Sequence, residues 1–179
     1  MDFTNSSSES PQAHLAIRSP ELLISFTASR SDNLLECSKH PLPYHHHLPN
    51  LERFISDIFH KTHLSPCVSV IALIYLERLK SMLPERARGE FDTPYKVFLA
   101  SILVASKFCE DVGLTNRVIS EMTRGLYTIQ QLNAMERSFL YLIKYNLKVD
   151  YNDVDNFVQR YGDQLDLEWQ REMMERCTC

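Results

Sequence analysis

An all-α fold is predicted for this chain, and three observations support the prediction. Only 4 of its 179 residues are glycine while 44% are hydrophobic, a composition that favours helices joined by loops over a β-sandwich or a barrel. Apolar residues recur at helical spacing in several segments. The longest apolar run, Phe98 to Asp111 (FLASILVASKFCED), contains small residues that let neighbouring helices approach closely, so we expect a central helix surrounded by others.

The chain divides into three predicted regions. Residues 1–47 are serine-rich early and interrupted by prolines, and we expect a largely irregular, partly disordered extension. Within it, Glu21 to Thr27 (ELLISFT) is apolar enough to fold back on the core as a short helix or an extended segment, or to bind a partner. Residues 48–147 contain five helices, and residues 148–179 contain an extra C-terminal helix and a tail.

Capping residues place the helices along the chain. The central helix is the third, a short fourth helix covers about 116–123, and Thr128 forms a capping box with Gln131 at the start of the fifth. After the sixth helix, a last amphipathic turn or two holds Leu167 and Trp169. The predicted N-caps, in chain order, are Asn50, Ser65, Thr93, Thr128 and Asn152.

Charge and sequence signals exclude several classes of function. The net charge is −4 and the isoelectric point is near 6.0, which leaves no basic stripe for nucleic acid and no polybasic anchor for anionic membranes. The N-terminus lacks the apolar core of a secretory signal, and the longest apolar run is too short to span a bilayer. We therefore expect an intracellular protein, nuclear and/or cytoplasmic, whose partner is another protein.

Catalytic and metal-binding motifs are not recognised in the sequence. It contains no glycine-rich phosphate loop, no GxSxG elbow and no HExxH helix. The five cysteines lack paired metal-ligand spacing, and an intracellular site keeps them reduced. The run His45-His46-His47 could ligate a metal, but three adjacent histidines cannot all point the same way. We therefore prefer a solvated linker to a metal site for this run. We predict no enzyme activity, no cofactor and no metal.

Two Ser-Pro pairs in the extension, Ser10-Pro11 and Ser19-Pro20, are candidate sites for a proline-directed kinase. Phosphorylation there would add charge to a flexible tail. The alternative is an ordinary disordered tail, in which Ser-Pro pairs are common.

Four ionic residues occur on the apolar faces of four predicted helices: Arg53, Glu77, Lys107 and Glu136. Uncompensated burial of any of them would be costly, and two internal ion pairs would resolve this. Alternatively, some of them face outward at an interface, where a partner completes their hydrogen bonds. With Phe108 beside Lys107, the end of the central helix is a candidate docking point. Spacing alone leaves both alternatives open.

Three motifs together resemble the cyclin box: VIALIYLERL, FLASILVASKFCED and LNAMERSFLYLIKYNL. Within the cyclin family, the stretch LPERARGEFDTPYKVFLASILVASKF is similar to the single-box cyclins of the fungal phosphate-regulatory, or Pcl, group. The resemblance covers about Leu48 to Leu147 and implies a single five-helix cyclin box.

The resemblance implies a regulatory subunit that binds and activates a cyclin-dependent protein kinase. Lys107 and Glu136 match the cyclin lysine and glutamate that hold the kinase at its αC helix, and Phe108 lies next to them in sequence. Arg53 and Glu77 match two residues that form an internal pair in cyclins. Binding would push αC inward, so that its glutamate meets the active-site lysine of the kinase.

Departures from the family pattern affect the expected partners. Mitotic cyclins have apolar residues around the first-helix arginine, whereas this chain has ERFIS at 52–56, so docking of an Arg-x-Leu motif is not expected. Other substrates or inhibitors remain candidates for docking on the box. After Asp111, VGLTNRVISEMT lacks the proline and tryptophan usual in the phosphate-regulatory group. Two alternatives stay open: a cyclin-fold scaffold in transcription, and a homologue that binds a kinase without activating it.

Overall fold

Helices make up most of the fold, in agreement with the predicted all-α class. The structure, a computed structural model, describes residues 15–169. Within that range the helices are α1 (Pro20–Asp32), α2 (Leu51–Thr62), α3 (Pro66–Met82), α4 (Thr93–Cys109), α5 (Asn116–Met122), α6 (Ile129–Leu142) and α7 (Tyr151–Leu165). Two small sheets pair β1 (Leu15–Ile17) antiparallel with β4 (Leu167–Trp169) and β2 (Glu36–Cys37) parallel with β3 (Arg88–Gly89).

The longest apolar run forms the central helix, α4, as predicted. Every side chain from Phe98 to Ser106 is buried, so this part of the helix has no face toward solvent. α3 packs along α4, and α1, α2 and α6 cover its other sides. Small side chains at Ala100 and Ala105 permit the close approach of these neighbours. Neither α4 nor any other helix within residues 15–169 is long and apolar enough to cross a membrane.

The apolar segment of the N-terminal extension is part of the core. α1 packs against α2, α3, α4 and α7, and it buries Leu23, Ile24 and Phe26. Of the alternatives that the sequence left open, the segment therefore folds back as a helix. Arg30 covers one edge of the contact, with its guanidinium 4.7 Å from the centre of the Phe26 ring and 4.9 Å from that of Tyr161.

β1 and β4 bring the two ends of the described chain together. Leu15 lies opposite Trp169 in the antiparallel pair, and Ser19 Oγ beside the sheet donates a hydrogen bond to the Asp166 carboxylate at 3.0 Å. The helical turn predicted around Leu167 and Trp169 is wrong. The reason is that α7 ends at Leu165, and the left-handed backbone of the next residue, Asp166 (φ 51°), redirects the chain into an extended strand.

Two predicted helix caps lie at other residues. α4 begins at Thr93, with Asp92 as its N-cap, because the Asp92 carbonyl accepts the first helical hydrogen bonds. α7 is capped by Asp150 rather than Asn152, because Asp150 and Asp153 exchange side-chain to backbone hydrogen bonds at 3.1 Å. The other three predicted caps are confirmed: Asn50, Ser65 and Thr128 each accept a backbone N–H.

His45 is buried, and the expectation of a solvated linker is wrong for this residue. It lies in a 3-10 turn, Pro43–His47, with Nε2 3.5 Å from Asp92 Oδ2 and with Nδ1 accepting the Leu42 N–H at 3.0 Å. Its ring stacks on Phe91. The turn is thereby attached to the start of α4. No cluster of His, Cys, Asp or Glu side chains in the described part of the chain is arranged to hold a metal ion.

If α1 belongs to the folding unit, shortening its buried side chains should destabilise the whole protein. Leu23 is 1% exposed, and Leu23→Ala is expected to lower the free energy of unfolding by about 2–5 kcal/mol in a urea titration. The neighbouring Leu22 is 45% exposed, and Leu22→Ala should change that free energy by less than about 0.5 kcal/mol. Equal effects of the two substitutions would show that α1 does not contribute to the cooperative core.

Candidate functional site

Lys107 and Glu136, which are far apart in sequence, meet at the surface where the buried part of α4 ends. Lys107 lies in the last turn of α4, and Glu136 lies in the middle of α6. Lys107 Nζ is 2.7 Å from each carboxylate oxygen of Glu136. The two side chains are 38% and 16% exposed, so the pair lies at the edge of the core with part of it facing solvent.

Asn116, at the first position of α5, bonds to both members of the pair. Its Oδ1 accepts from Lys107 Nζ at 2.9 Å, and its Nδ2 donates to Glu136 Oε2 at 3.0 Å. Thr115 caps α5 by accepting the Val118 N–H at 3.2 Å, which fixes the start of the helix and with it the direction of Asn116. The ammonium and the carboxylate are therefore held in one geometry by a third, buried side chain.

Sequence analysis missed Asn116 and Asn133. Asn133 Oδ1 accepts a hydrogen bond from Asn116 Nδ2, and Asn133 is part-buried on α6. Asn133 precedes Glu136 by three residues, a spacing that places two side chains on the same helix face, and this signal could have identified it. Nothing local in the sequence points to Asn116, because its partners come from two other helices.

The loop after α4 is fixed against the end of that helix. Ser106 is buried, and its hydroxyl donates to the Glu110 carboxylate and accepts from the Leu114 N–H, both at 2.8 Å. Gly113 approaches so closely that a Cβ there would lie 2.9 Å from Lys107 Cα and 2.9 Å from the Ser106 carbonyl oxygen. A residue with a side chain would push the loop away from the helix. The loop thus helps to set the position of Lys107.

Exposed apolar side chains are concentrated in the same part of the chain. Phe108, directly after Lys107, is 51% exposed, and Val112 in the following loop is almost fully exposed. Six of the nine large apolar residues that are exposed within residues 15–169 lie between the end of α4 and the end of the loop after α6: Phe108, Val112, Ile129, Tyr141, Leu142 and Tyr145. Exposed apolar side chains thus follow Lys107 in the chain, and protein interaction surfaces are enriched in aromatic side chains such as Phe108.

The predicted internal pair between Arg53 and Glu77 is not formed, and this part of the sequence interpretation needs correction. The Arg53 side chain is 72% exposed, and its Nε donates to Asp57 one turn later at 3.2 Å. Glu77 pairs instead with Arg160 of α7 at 2.9 Å. Arg53 points to solvent because the following residues of α2, Phe54 onward, take the core positions. The cation for Glu77 comes from a helix outside the predicted box.

Of the two candidate phosphorylation sites, only Ser19 lies in the part of the chain that the structure describes. Ser10 lies outside the described residues. Ser19 is the N-cap residue of α1, half-buried, and its hydroxyl donates to Asp166 at 3.0 Å. Phosphorylation of Ser19 would have to break this hydrogen bond and would place two negative groups side by side. Modification of either serine stays a prediction.

Thiol chemistry near the site is suppressed by burial. Burial, with a smaller effect of the Glu110 charge, raises the pKa of Cys67 at the start of α3 to about 11. Burial, with smaller effects of Cys67 and Glu110, raises the pKa of Cys109 at the end of α4 to about 12. Both thiols are therefore protonated and poorly nucleophilic near neutral pH. Cys177 and Cys179 lie outside the described residues.

Comparisons with known proteins agree on one family. Residues 24–148 match the family model described as "Cyclin, N-terminal domain". PHO85 cyclin-1 of Saccharomyces cerevisiae is 29% identical over 150 residues, which are 79% of this chain and 54% of that protein. PHO85 cyclin-9 of the same organism is 26% identical over 130 residues, 70% of this chain and 43% of that protein. The chain thus spans about half the length of the curated relatives it matches, or less.

Removing the Ser106 hydroxyl should release the loop after α4. Ser106→Ala leaves the part-buried Leu114 N–H without its acceptor, and we expect a loss of about 1–3 kcal/mol together with faster hydrogen exchange at the Leu114 amide. Ser101→Ala is the matched control, since the buried Ser101 hydroxyl donates only within its own helix, to the Phe98 carbonyl at 2.8 Å. Unchanged exchange at Leu114 in the Ser106 variant would contradict the role given to this hydroxyl.

Proposed function

The chain belongs to the family of cyclin N-terminal domains, and from that premise we propose that it is a regulatory subunit that binds and activates a cyclin-dependent protein kinase. The observation that carries the proposal is the Lys107–Glu136 pair, held by Asn116 beside the exposed Phe108. The curated relatives are named as cyclins of PHO85, and the proposed partner is a kinase of that class.

The pair retains hydrogen-bonding capacity for a partner. A carboxylate has about four acceptor positions, and the known bonds from Lys107 to both oxygens and from Asn116 to one oxygen occupy three of them. Glu136 can therefore accept one further donor from a docked kinase without losing its internal bonds. Lys107 is the more exposed of the two, but its three N–H donors are used by Asn116 and by both oxygens of Glu136, so a carbonyl of the kinase would have to replace one of these acceptors.

Activation in this proposal is positional. The chain would press on the αC helix of the kinase and move it inward, so that the αC glutamate meets the active-site lysine and the phosphate-binding site is assembled. A surface that is already ordered suits this task, because little entropy is lost when the partner docks. The chain would supply a surface and no catalytic side chain, and it would act inside the cell, in the nucleus or the cytoplasm.

Exchanging the two charges should abolish kinase binding while preserving an internal pair. We expect Lys107→Glu/Glu136→Lys to weaken binding at least about 100-fold, or roughly 3 kcal/mol, because each charge then faces the kinase group that its partner used to contact. The measurement is affinity capture of the tagged chain from its own cells, with identification of bound kinase and an activity assay on the eluate. Glu36→Arg/Arg88→Glu is the control, since it exchanges an exposed pair at the β2–β3 sheet with a 3.0 Å separation.

The outcomes separate the proposal from its alternatives. An active kinase recovered with the wild type and the control, but not with the exchanged variant, supports the proposal. A kinase that is bound but inactive in every sample points to a homologue that binds without activating. Recovery of kinase by the exchanged variant at the wild-type level would contradict the proposed contact.

Phe108 should contribute to binding but not to folding. Because its side chain is half exposed, Phe108→Ala is expected to change the free energy of unfolding by less than about 0.5 kcal/mol. An aromatic anchor at an interface typically contributes about 2 kcal/mol or more, so kinase affinity should fall roughly 30-fold. Met82→Ala, at the end of α3, removes an exposed apolar side chain elsewhere and should leave affinity unchanged. A urea titration of each variant measures the free energy of unfolding, and a titration of purified kinase with each variant measures the affinity. Equal affinities of the wild type and Phe108→Ala would contradict the assignment.

A further inference from the structure

We propose that Arg78 is a positioning residue for kinase binding, because it holds the loop after α6, residues 143–150, in the shape that presents Tyr145 to the partner. This role rests on the proposed function and adds a second element to its contact surface. Tyr145 lies in the loop and is 64% exposed, whereas Arg78 belongs to α3 and its side chain is only 15% exposed. Arg78 would therefore act through the loop and not by touching the kinase.

The Arg78 guanidinium joins α3 to the loop and to α7. Its Nη1 donates to the Asn146 carbonyl oxygen in the loop at 2.7 Å, and its Nη2 donates to Asp153 Oδ2 in the first turn of α7 at 3.1 Å. The same Asp153 oxygen accepts the Asp150 N–H at 3.1 Å. A planar guanidinium that donates two charge-assisted hydrogen bonds fixes its acceptors in one arrangement. The loop is thereby attached both to α3 and to the start of α7.

A second side chain of α3 places the loop beside the end of α4. The Tyr75 hydroxyl donates to the Leu147 carbonyl oxygen at 2.8 Å. Burial, with a smaller effect of Cys109, raises the pKa of this hydroxyl, which keeps it protonated as a donor. Cys109 directly follows Phe108 at the end of α4 and lies close enough to Tyr75 for that effect. The loop that carries Tyr145 is therefore next to the surface where the candidate kinase contact lies.

The backbone of the loop needs this support. Lys144 and Tyr145 are consecutive residues with φ values of 53° and 54°, in the left-handed region that residues with a Cβ rarely adopt. Such a backbone persists only where its surroundings hold it, and Arg78 and Tyr75 bond to the two carbonyl groups that directly follow. Without the guanidinium the loop can relax, and Tyr145 moves with it. A kinase would then have to order the loop on binding, which lowers the affinity.

Arg160 provides a matched control for Arg78. Its Nη2 lies 2.9 Å from Oε2 of Glu77, the residue before Arg78, so it also joins α7 to α3. Within residues 15–169 its other hydrogen bonds go to the second oxygen of Glu77 and to the Asn156 carbonyl of its own helix, and none reaches the loop. Arg160→Ala therefore removes a cation from the same contact between helices while leaving the loop in place.

The affinity test uses the purified cyclin-dependent kinase that the wild-type chain captures. Arg78→Ala should weaken binding about tenfold, and Arg160→Ala should bind as the wild type does. Tyr145→Ala should weaken binding about tenfold or more, as expected for an exposed aromatic side chain that becomes buried in an interface. The double variant Arg78→Ala/Tyr145→Ala should bind no more weakly than Tyr145→Ala, because Arg78 acts through Tyr145. Additive losses would overturn the role given to Arg78, since a general loss of structure or a direct contact would produce them.

Hydrogen exchange measures the position of the loop without a kinase. The Tyr145, Asn146 and Leu147 amides each donate a backbone hydrogen bond, and Arg78→Ala should speed their exchange whereas Arg160→Ala should not. If Arg78→Ala does not fold, Arg78→Lys keeps the charge and most of the stem but lacks the planar fork. Arg78→Lys should show both effects to a smaller degree. Unchanged exchange of these amides in a folded Arg78 variant would overturn the proposal.

Failure of this role can be distinguished from failure of the proposed function. A wild-type chain that binds no kinase would overturn the function, and the role of Arg78 would fall with it. Wild-type affinity in Arg78→Ala, even with faster exchange in the loop, would overturn the role of Arg78 alone. In that case Lys107 and Glu136 would still bind the kinase, and the loop would lie outside the contact.

Discussion

The burial of α4 on every side is the constraint on which the rest of the structure depends. A helix without a solvent face needs neighbours all around it, and α1, α2, α3 and α6 meet that need. A charged group can appear on α4 only where the neighbours end. Lys107 is the first residue after the fully buried run from Phe98 to Ser106, so the candidate kinase contact lies where the core reaches the surface. Its position is therefore as fixed as the packing of the core.

Much of the helical framework was predictable because its signals are local. The apolar run of α4, the caps Asn50 and Ser65, and the Thr128 capping box each act within a few residues of the helix they define. Lys107 and Glu136 could be identified from motif resemblance. Such local signals do not indicate which residues from distant parts of the chain come into contact. The predictions that were wrong or missing concern contacts of this kind.

The missed features depend on contacts between elements distant in sequence. Glu77 finds its cation in Arg160, 83 residues away, because α7 packs on α3. Residues 167–169 are extended because a strand from the other end of the chain is there to pair with them. Asn116 joins the ionic network only because α5 begins beside Lys107 of α4 and Glu136 of α6. Hydrophobic periodicity does not predict contacts between distant elements, since it describes one helix or strand at a time.

The surface at the end of α4 is ordered by this packing. At the end of α4, each charge is already paired and held by a buried amide, so the surface is ordered before any partner arrives. Because its charges are already paired, ionic strength should affect a partner's contact here less than it affects a contact made by unpaired charges.

The pairing of β1 with β4 has a topological consequence. Because Leu15 lies opposite Trp169, the described chain begins and ends on adjacent strands. A short linker could therefore join residues 15 and 169 without any rearrangement of the core, so that residues 15–169 could be circularly permuted or inserted as a unit into a loop of another protein.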